Sequence, residues 1–210
     1  MTLRRALLAT SMLLSALTAS VNDQGPDDTP LSAGEERPAA LGTSTAAGGP
    51  LLAIGDSLMV GADRHGHLGA ILALDGWELE TIAENGRSVS WAIGEIEDRD
   101  DPVPRNVVVA LGSNPGFSSD GFAEDVAALR ELLVERGARR IVWIPPYHTD
   151  PDRYREKIAI LTATDQADRR LVVPGWGAVL DAHPEWVRSD GIHLTEDGYT
   201  AMAAFIRDVL

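Results

Sequence analysis

The chain of 210 residues contains no cysteine. Disulfide frameworks and zinc sites built from thiolates are therefore excluded, and so is the lipidated cysteine of a bacterial lipoprotein anchor. Without covalent cross-links, the fold must be stabilised by a buried apolar core.

Positive charge is also in short supply. The chain has 18 Lys and Arg residues against 32 Asp and Glu residues, which gives a formal net charge of −14. A surface this acidic repels nucleic acids and anionic lipid headgroups. We therefore expect no nucleic-acid partner.

The apolar run near the start of the chain, residues 6–17, is too short to span a bilayer. Arg4 and Arg5 precede it, and the small residues 18–20 follow it. This pattern predicts a secretory signal peptide over residues 1–20, with an uncleaved signal anchor as the alternative. We expect a secreted, extracellular or cell-envelope protein without stable membrane insertion after signal cleavage.

Residues 21–50 contain no aromatic residue and are rich in Gly, Pro, Asp, Ser, Thr and Ala. This composition predicts a disordered linker. The folded part is then one domain over residues 51–210, which is long enough to bury a single core.

Short apolar runs divide this domain into strands. Four of the runs are continuous, which is typical of strands buried on both faces of a parallel sheet. A fifth run, residues 77–82, alternates apolar and polar residues and predicts an edge strand with one solvated face. The four continuous runs are residues 51–54, 107–111, 141–144 and 171–173.

Helical patterns lie between the strands. One apolar stripe ends at Gly137, Asp150-Pro151 predicts the start of a second helix, and Thr195 is the predicted start of the last. Alternating strands and helices predict an α/β fold, a three-layer α/β/α sandwich with a five-stranded parallel sheet. The residues expected to face the core are Phe122, Val126, Leu129 and Leu133, then Tyr154, Ile158 and Leu161, then Tyr199, Met202, Ile206 and Val209.

Two short segments carry a candidate nucleophile and a candidate base. Ser57 lies in Gly55-Asp56-Ser57-Leu58, where a strand ends and a helix begins, and the positive end of the helix dipole favours an oxyanion there. His193 follows Asp190 by three residues, so the carboxylate can orient the imidazole and leave Nε2 free to accept a proton. The alternative for Ser57 is a helix N-cap, and the alternative for Asp190 and His193 is an Asp-Gly turn with an exposed histidine.

Two further residues suit an oxyanion hole. Asn114 precedes Pro115, which favours an extended backbone and would hold the side-chain amide in one direction. Gly86 has no side chain to keep a substrate oxygen away from its backbone N–H. Each residue has an ordinary turn as its alternative. Because ligands bind beyond the carboxyl ends of parallel strands, we expect both to lie near Ser57 and the segment 186–193.

These motifs, in this order, resemble those of the SGNH (GDSL-type) hydrolase family over essentially all of residues 51–210. The resemblance implies the SGNH-hydrolase, flavodoxin-like fold, with Ser57 as nucleophile and Asp190 and His193 completing a catalytic triad. It also implies an oxyanion hole formed by the backbone N–H groups of Ser57 and Gly86 and by the side chain of Asn114. The Gly-x-Ser-x-Gly signature of the α/β-hydrolases is absent around Ser57.

Within that family, the motifs look similar to the extracellular domains of peptidoglycan and polysaccharide O-acyltransferases. The segments that carry this similarity are 56–62, 86–88, 111–114, and Trp186 ahead of 190–195.

Other side chains near these motifs have competing interpretations. Arg87 and Trp186 are candidate substrate-binding residues, with a surface arginine and a packed tryptophan as the alternatives. Asp63, His65 and His67 have no further histidine cluster beside them, so we expect a solvated face and no metal site. No cofactor is expected.

The sequence therefore predicts a secreted serine esterase that uses a Ser-His-Asp acyl-enzyme mechanism. Little chain remains beyond the core for a lid or a long acyl groove, which favours a short acyl group such as acetyl. The expected substrate is a small ester or an O-acetyl group on a cell-wall or extracellular polysaccharide. The alternatives are an O-acyltransferase that uses the same serine on a glycan and a non-catalytic glycan-binding module.

Overall fold

A computed structural model describes residues 48–114 and 119–210. Its strands are β1 (Gly49–Gly55), β2 (Trp77–Ala83), β3 (Asn106–Ala110), β4 (Arg140–Trp143) and β5 (Leu171–Val172). They form one five-stranded parallel sheet in the order β2-β1-β3-β4-β5. The predicted α/β class is confirmed, and β2 lies at an edge as its alternating sequence predicts. β1 begins at Gly49, ahead of the predicted domain start, while the predicted signal peptide and most of the predicted linker lie outside the described residues.

Helices cover both faces of the sheet. They are α1 (Ser57–Arg64), α2 (Leu68–Ala73), α3 (Val89–Glu97), α4 (Ser119–Glu135), α5 (Arg155–Ala167), α6 (Trp176–Ala182) and α7 (Glu196–Val209), with a 3-10 helix at Pro184–Trp186. α1, α2, α6 and α7 pack on one face, and α3, α4 and α5 pack on the other. Within the described ranges, no helix has the length and apolar character needed to cross a membrane.

Each central strand sends alternate side chains into the two layers. In β1, Leu51 and Ala53 join the core beneath α1 and α7. Leu52 and Ile54 join the core beneath α3 and α4. All four are at most 1% exposed. Burial on both faces is the reason that these strands appear in the sequence as continuous apolar runs.

The start of α5 differs from the prediction. The carboxylate of Asp150 accepts the N–H of Asp152 at 3.1 Å and stabilises a separate turn, so the helix begins only at Arg155. Ile158, predicted to face the core, is 37% exposed and borders a surface cavity of about 580 Å³. Leu161 is the buried residue through which α5 joins the core.

Candidate active site

The sheet order gathers four of the predicted site residues at one edge. β2, β1 and β3 are neighbours, and Gly86, Ser57 and Asn114 follow their carboxyl ends. His193 lies in the loop before α7 and joins them in a cavity of about 450 Å³. The other residues that line this cavity are Val60, Gly61, Arg64, His65, Asn85, Arg188 and Tyr199.

Ser57 is the first residue of α1, and its hydroxyl is not used to cap the helix. The N-cap is Asp56, whose Oδ1 accepts the N–H of Leu58 at 3.0 Å. The Ser57 hydroxyl instead meets His193, with Oγ and Nε2 3.0 Å apart. The Ser57 N–H is one of the first N–H groups of the helix, which have no acceptor within it. Both the hydroxyl and the N–H of Ser57 are therefore available for chemistry in the cavity.

Asp190 fixes the proton arrangement of His193. Oδ2 of Asp190 lies 2.8 Å from Nδ1 of His193. Because an ionised carboxylate only accepts, Nδ1 carries the proton and the Nε2 lone pair faces the Ser57 hydroxyl. Partial burial raises the pKa of Asp190, but bonds from the backbone N–H groups of Ile192 and His193 and from the imidazole outweigh it and lower the pKa from 3.8 to about 2. Asp190 is therefore ionised at neutral pH.

Backbone hydrogen bonds close the loop that carries His193. The N–H of Arg188 donates to the His193 carbonyl at 2.8 Å, and the N–H of Gly191 donates to the Arg188 carbonyl at 2.9 Å. Gly191 has a φ of +76°, and a Cβ there would lie 2.5 Å from Oγ1 of Thr149. The Gly191 carbonyl accepts the N–H of Thr149 at 3.1 Å. The loop is thus held against the segment that follows β4, and only glycine fits at the contact.

Asn114 presents its side-chain amide at the cavity, with both amide protons engaged. Nδ2 donates to Oδ2 of Asp56 at 3.0 Å and to the backbone carbonyl of Arg87 at 3.1 Å. These two acceptors fix the direction of the amide. An oxyanion that used this amide would have to take the place of one of them.

Gly86 leaves its side of the cavity open. Its φ is +78°, a conformation that side chains other than hydrogen rarely adopt, and no atom lies within 4 Å of where a Cβ would stand. The space that a side chain would occupy at Gly86 is therefore open to a ligand.

Solved structures with this architecture include three enzymes or candidate enzymes. The C-terminal catalytic domain of Streptococcus pneumoniae peptidoglycan O-acetyltransferase A matches with a TM-score of 0.60 and 19% identity, over 77% of this chain and 92% of that one. A candidate GDSL-like lipase from Parabacteroides merdae matches with a TM-score of 0.58 and 15% identity, over 76% and 94%. A family 3 carbohydrate esterase from Clostridium thermocellum matches with a TM-score of 0.56 and 12% identity, over 76% and 93%.

The chain has the SGNH-hydrolase fold. This confirms the fold that the sequence motifs imply. At the level of sequence, no model of a protein family and no curated protein matches the chain.

In this SGNH-hydrolase fold, a buried carboxylate lies beside the site, and the sequence motifs did not assign it a role. Asp56 is 0% exposed. Burial raises its pKa from 3.8 to about 6, even though the backbone N–H groups of Leu58 and Ser113, the charge of His193 and the amide of Asn114 all lower it. Its burial could have been predicted from its position, because Asp56 directly follows a strand that is buried on both faces.

Two side chains from the α5 region hold the loop that contains Asn114. The hydroxyl of Tyr154 donates to the Ser113 carbonyl at 2.6 Å. Lys157 Nζ donates to the carbonyls of Gly112 at 2.7 Å and Asn114 at 3.3 Å, and its desolvation lowers its pKa. These contacts span more than 40 positions in the chain, so no local pattern in the sequence indicates them.

The structure does not bring the two predicted substrate-binding side chains to this cavity. The guanidinium of Arg87 pairs with Glu84 at 2.5 Å and lies over the ring of Trp91, so Arg87 contributes to the site through its carbonyl. The indole of Trp186 stacks on His183, with ring centroids 3.9 Å apart. Packing is therefore the observed environment of Trp186.

The side chains of Asp63, His65 and His67 are not arranged as a set of metal ligands. Within residues 48–114 and 119–210, no group of three or more His, Cys, Asp or Glu residues is arranged to hold a metal ion. His65 is exposed, as expected, but it also borders the cavity and stacks on Tyr199, with ring centroids 5.8 Å apart.

Proposed function

We propose that this protein is a secreted serine esterase that removes short acyl groups, acetyl above all, from a cell-wall or extracellular polysaccharide. The observation that carries the proposal is the continuous hydrogen-bonded chain from Ser57 through His193 to Asp190, with distances of 3.0 Å and 2.8 Å. Nucleophile, base and orienting carboxylate within this reach are the requirements of acyl-enzyme catalysis.

In the first half of the reaction, His193 Nε2 takes the hydroxyl proton as Ser57 Oγ attacks the ester carbonyl carbon. The negative charge that forms on the carbonyl oxygen would be stabilised by the N–H groups of Ser57 and Gly86 and by the amide of Asn114. The bond to the alcohol then breaks, and His193 returns the proton to the leaving alkoxide. The acyl group remains on Ser57.

In the second half, a water molecule loses a proton to His193 and attacks the acyl-enzyme carbonyl. The same donors hold the second oxyanion, and Ser57 leaves with the proton from His193. The products are a free carboxylic acid and the unmodified serine. Asp190 stays ionised throughout and stabilises the imidazolium that forms twice per cycle.

The short acyl group is supported by the cavity itself. Among the described residues that line it, Val60 is the only one with an aliphatic side chain, so the cavity offers little apolar surface to a long acyl chain. A polysaccharide substrate is supported by the fold relatives, since one is a peptidoglycan O-acetyltransferase and another is a carbohydrate esterase. Secretion is supported by the signal-peptide pattern of residues 1–20.

The first experiment is active-site labelling with a fluorophosphonate probe. Wild type should be labelled, Ser57→Ala should not, and Ser189→Ala, which removes an exposed serine from the neighbouring loop, should label like wild type. Wild type and Ser189→Ala should hydrolyse p-nitrophenyl acetate, and Ser57→Ala should not. Wild type should hydrolyse p-nitrophenyl acetate faster than p-nitrophenyl octanoate. Labelling that persists in Ser57→Ala would exclude Ser57 as the nucleophile.

An O-acyltransferase is the second candidate, because the peptidoglycan O-acetyltransferase domain has the same fold. It would use the same acyl-enzyme but pass the acyl group to a glycan hydroxyl. Product analysis with an acetyl donor and a glycan acceptor separates the two. An esterase yields free acetate, whereas a transferase yields acetylated glycan.

A further inference from the structure

The charged side chains that line the Ser57 cavity are opposite in sign to the net charge of the whole chain. The formal net charge of the chain is −14. Yet the described residues that line the cavity include Arg64 and Arg188 and no Asp or Glu; the nearby carboxylate of Asp190 is bonded to Nδ1 of His193. Cationic side chains in a concave site raise the local concentration of anions and lower that of cations.

Arg64 and Arg188 have no ion-pair partner in the part of the chain that the structure describes. Neither forms an ion pair or a side-chain hydrogen bond there. Other arginines of the protein do: Arg99 pairs with Glu80 and Arg130 pairs with Asp168. The side chains of Arg64 and Arg188 are both exposed at the cavity, so a ligand there can reach them.

These two arginines stand on different elements that meet at the cavity. Arg64 lies in the last turn of α1, the helix that begins with Ser57. A cation there also suits the helix dipole, which accounts for its place on the helix but not for its position at the cavity. Arg188 lies in the loop that His193 closes, since its N–H donates to the His193 carbonyl at 2.8 Å.

Tyr199 forms a rigid wall on the same side. A Cβ added at Gly61 would lie 2.1 Å from its ring, so the ring is packed directly on α1. Burial raises the pKa of Tyr199, the backbone hydrogen bond with Leu194 and the charge of Arg188 lower it, and the charges of Asp190 and Asp56 raise it. Arg188 and Tyr199 both line the cavity.

We infer that this cavity selects esters whose alcohol portion carries a compact oxyanion, with Arg64 and Arg188 as its binding residues. The inference rests on the proposed esterase function and names the class of its substrate. A guanidinium group binds a carboxylate or a phosphate through two parallel N–H bonds and stays charged at every physiological pH. A sugar carboxylate and a sugar phosphate share this chemistry, and a neutral glycan lacks it.

The test compares matched acetyl esters on the full chain. They are acetylated methyl glucuronoside, its neutral methyl ester, and acetylated methyl glucoside 6-phosphate. We expect kcat/KM for both anionic esters to exceed that for the neutral ester by roughly tenfold, and each of Arg64→Gln and Arg188→Gln to reduce that ratio by about threefold. The better anion identifies the carboxylate or the phosphate as the natural group.

Arg105→Gln is the matched control, because Arg105 is exposed just before β3, at the opposite end of the strand from the site. It removes the same charge and should leave the ratio unchanged. Raising the salt concentration should lower the ratio in wild type, because salt screens exposed charges. Equal rates on the three esters, or an equal effect of Arg105→Gln, would overturn the inference.

A binding measurement separates this inference from the proposed reaction. Ser57→Ala cannot turn over, so methyl glucuronoside and methyl glucoside are titrated into it and followed by NMR. Selective binding of the glucuronoside that is weakened in Arg188→Gln supports the anion site, even if wild type hydrolyses no ester. Hydrolysis of p-nitrophenyl acetate without any anion preference supports the esterase and refutes the anion site.

Discussion

The buried carboxylate of Asp56 makes a sharp prediction about how stability depends on pH. Its pKa in the folded protein is about 6, against an ordinary value of 3.8. Between these values the folded protein keeps a proton that the unfolded chain has lost. The contribution of Asp56 to stability is therefore complete below pH 3.8 and is lost as the pH rises through about 6.

The magnitude follows from the difference between the two pKa values. They differ by about two pH units, and each unit corresponds to about 1.4 kcal/mol, so ionisation of Asp56 costs the folded state about 3 kcal/mol. Asp56→Asn cannot ionise. Relative to wild type, the free energy of unfolding of the variant should therefore rise by about 2.5 kcal/mol between pH 4 and pH 7, since part of the change occurs below pH 4.

The assay is urea unfolding of wild type and Asp56→Asn at several pH values from 4 to 8. The difference between the two curves cancels the shared groups that do not interact with Asp56. Asp100→Asn, which removes an exposed carboxylate from a loop, should give a difference that does not vary in this way. A flat difference for Asp56→Asn between pH 4 and 7 would refute the argument that burial sets the Asp56 pKa.

Three further substitutions test the site itself. Asp190→Asn should lower kcat on p-nitrophenyl acetate by about a thousandfold or more, because an amide no longer fixes the proton on Nδ1 of His193. Gly191→Ala should destabilise the protein by about 1–3 kcal/mol in thermal unfolding and lower kcat, because the methyl group meets Thr149 and the backbone is strained. Lys157→Met should cost about 1–2 kcal/mol and lower kcat, because two loop carbonyls lose their donor.

Each of these has a result that would contradict it. Activity of Asp190→Asn within tenfold of wild type would remove Asp190 from the triad. Gly94→Ala is the matched control for Gly191→Ala, since Gly94 lies in α3 with open space around it and the change should stabilise the helix by about 1 kcal/mol. Wild-type activity in Lys157→Met would show that the Asn114 loop keeps its position without Lys157.

The sequence predicts those parts of the fold in which burial produces a regular pattern of apolar and polar residues. β1 and β3 are covered on both faces and read as unbroken apolar runs, whereas β2 is at an edge and alternates. The start of α7 at Thr195 was predictable because the cap acts within one turn, on the N–H of Gly198.

The parts that it could not predict depend on contacts between distant residues. Asp56 and Asn114 are 58 positions apart, so their bond is visible only once β1 and β3 are paired. Arg64 and Arg188 look like ordinary surface arginines until α1 and the His193 loop bring them to one cavity. The predicted start of α5 was wrong for the opposite reason, because a purely local turn at Asp150 competes with the helix.

The two bonds of the Asn114 amide have a consequence for inhibitors under the proposed mechanism. A ketone or an amide placed in the cavity offers only a neutral oxygen, which gains little by displacing the neutral Arg87 carbonyl from Nδ2. A boronate or phosphonate, which carries a full charge in tetrahedral geometry, forms the stronger bond and repays the exchange. Under the proposed mechanism, planar mimics of the substrate should therefore bind weakly and tetrahedral anionic mimics should bind tightly.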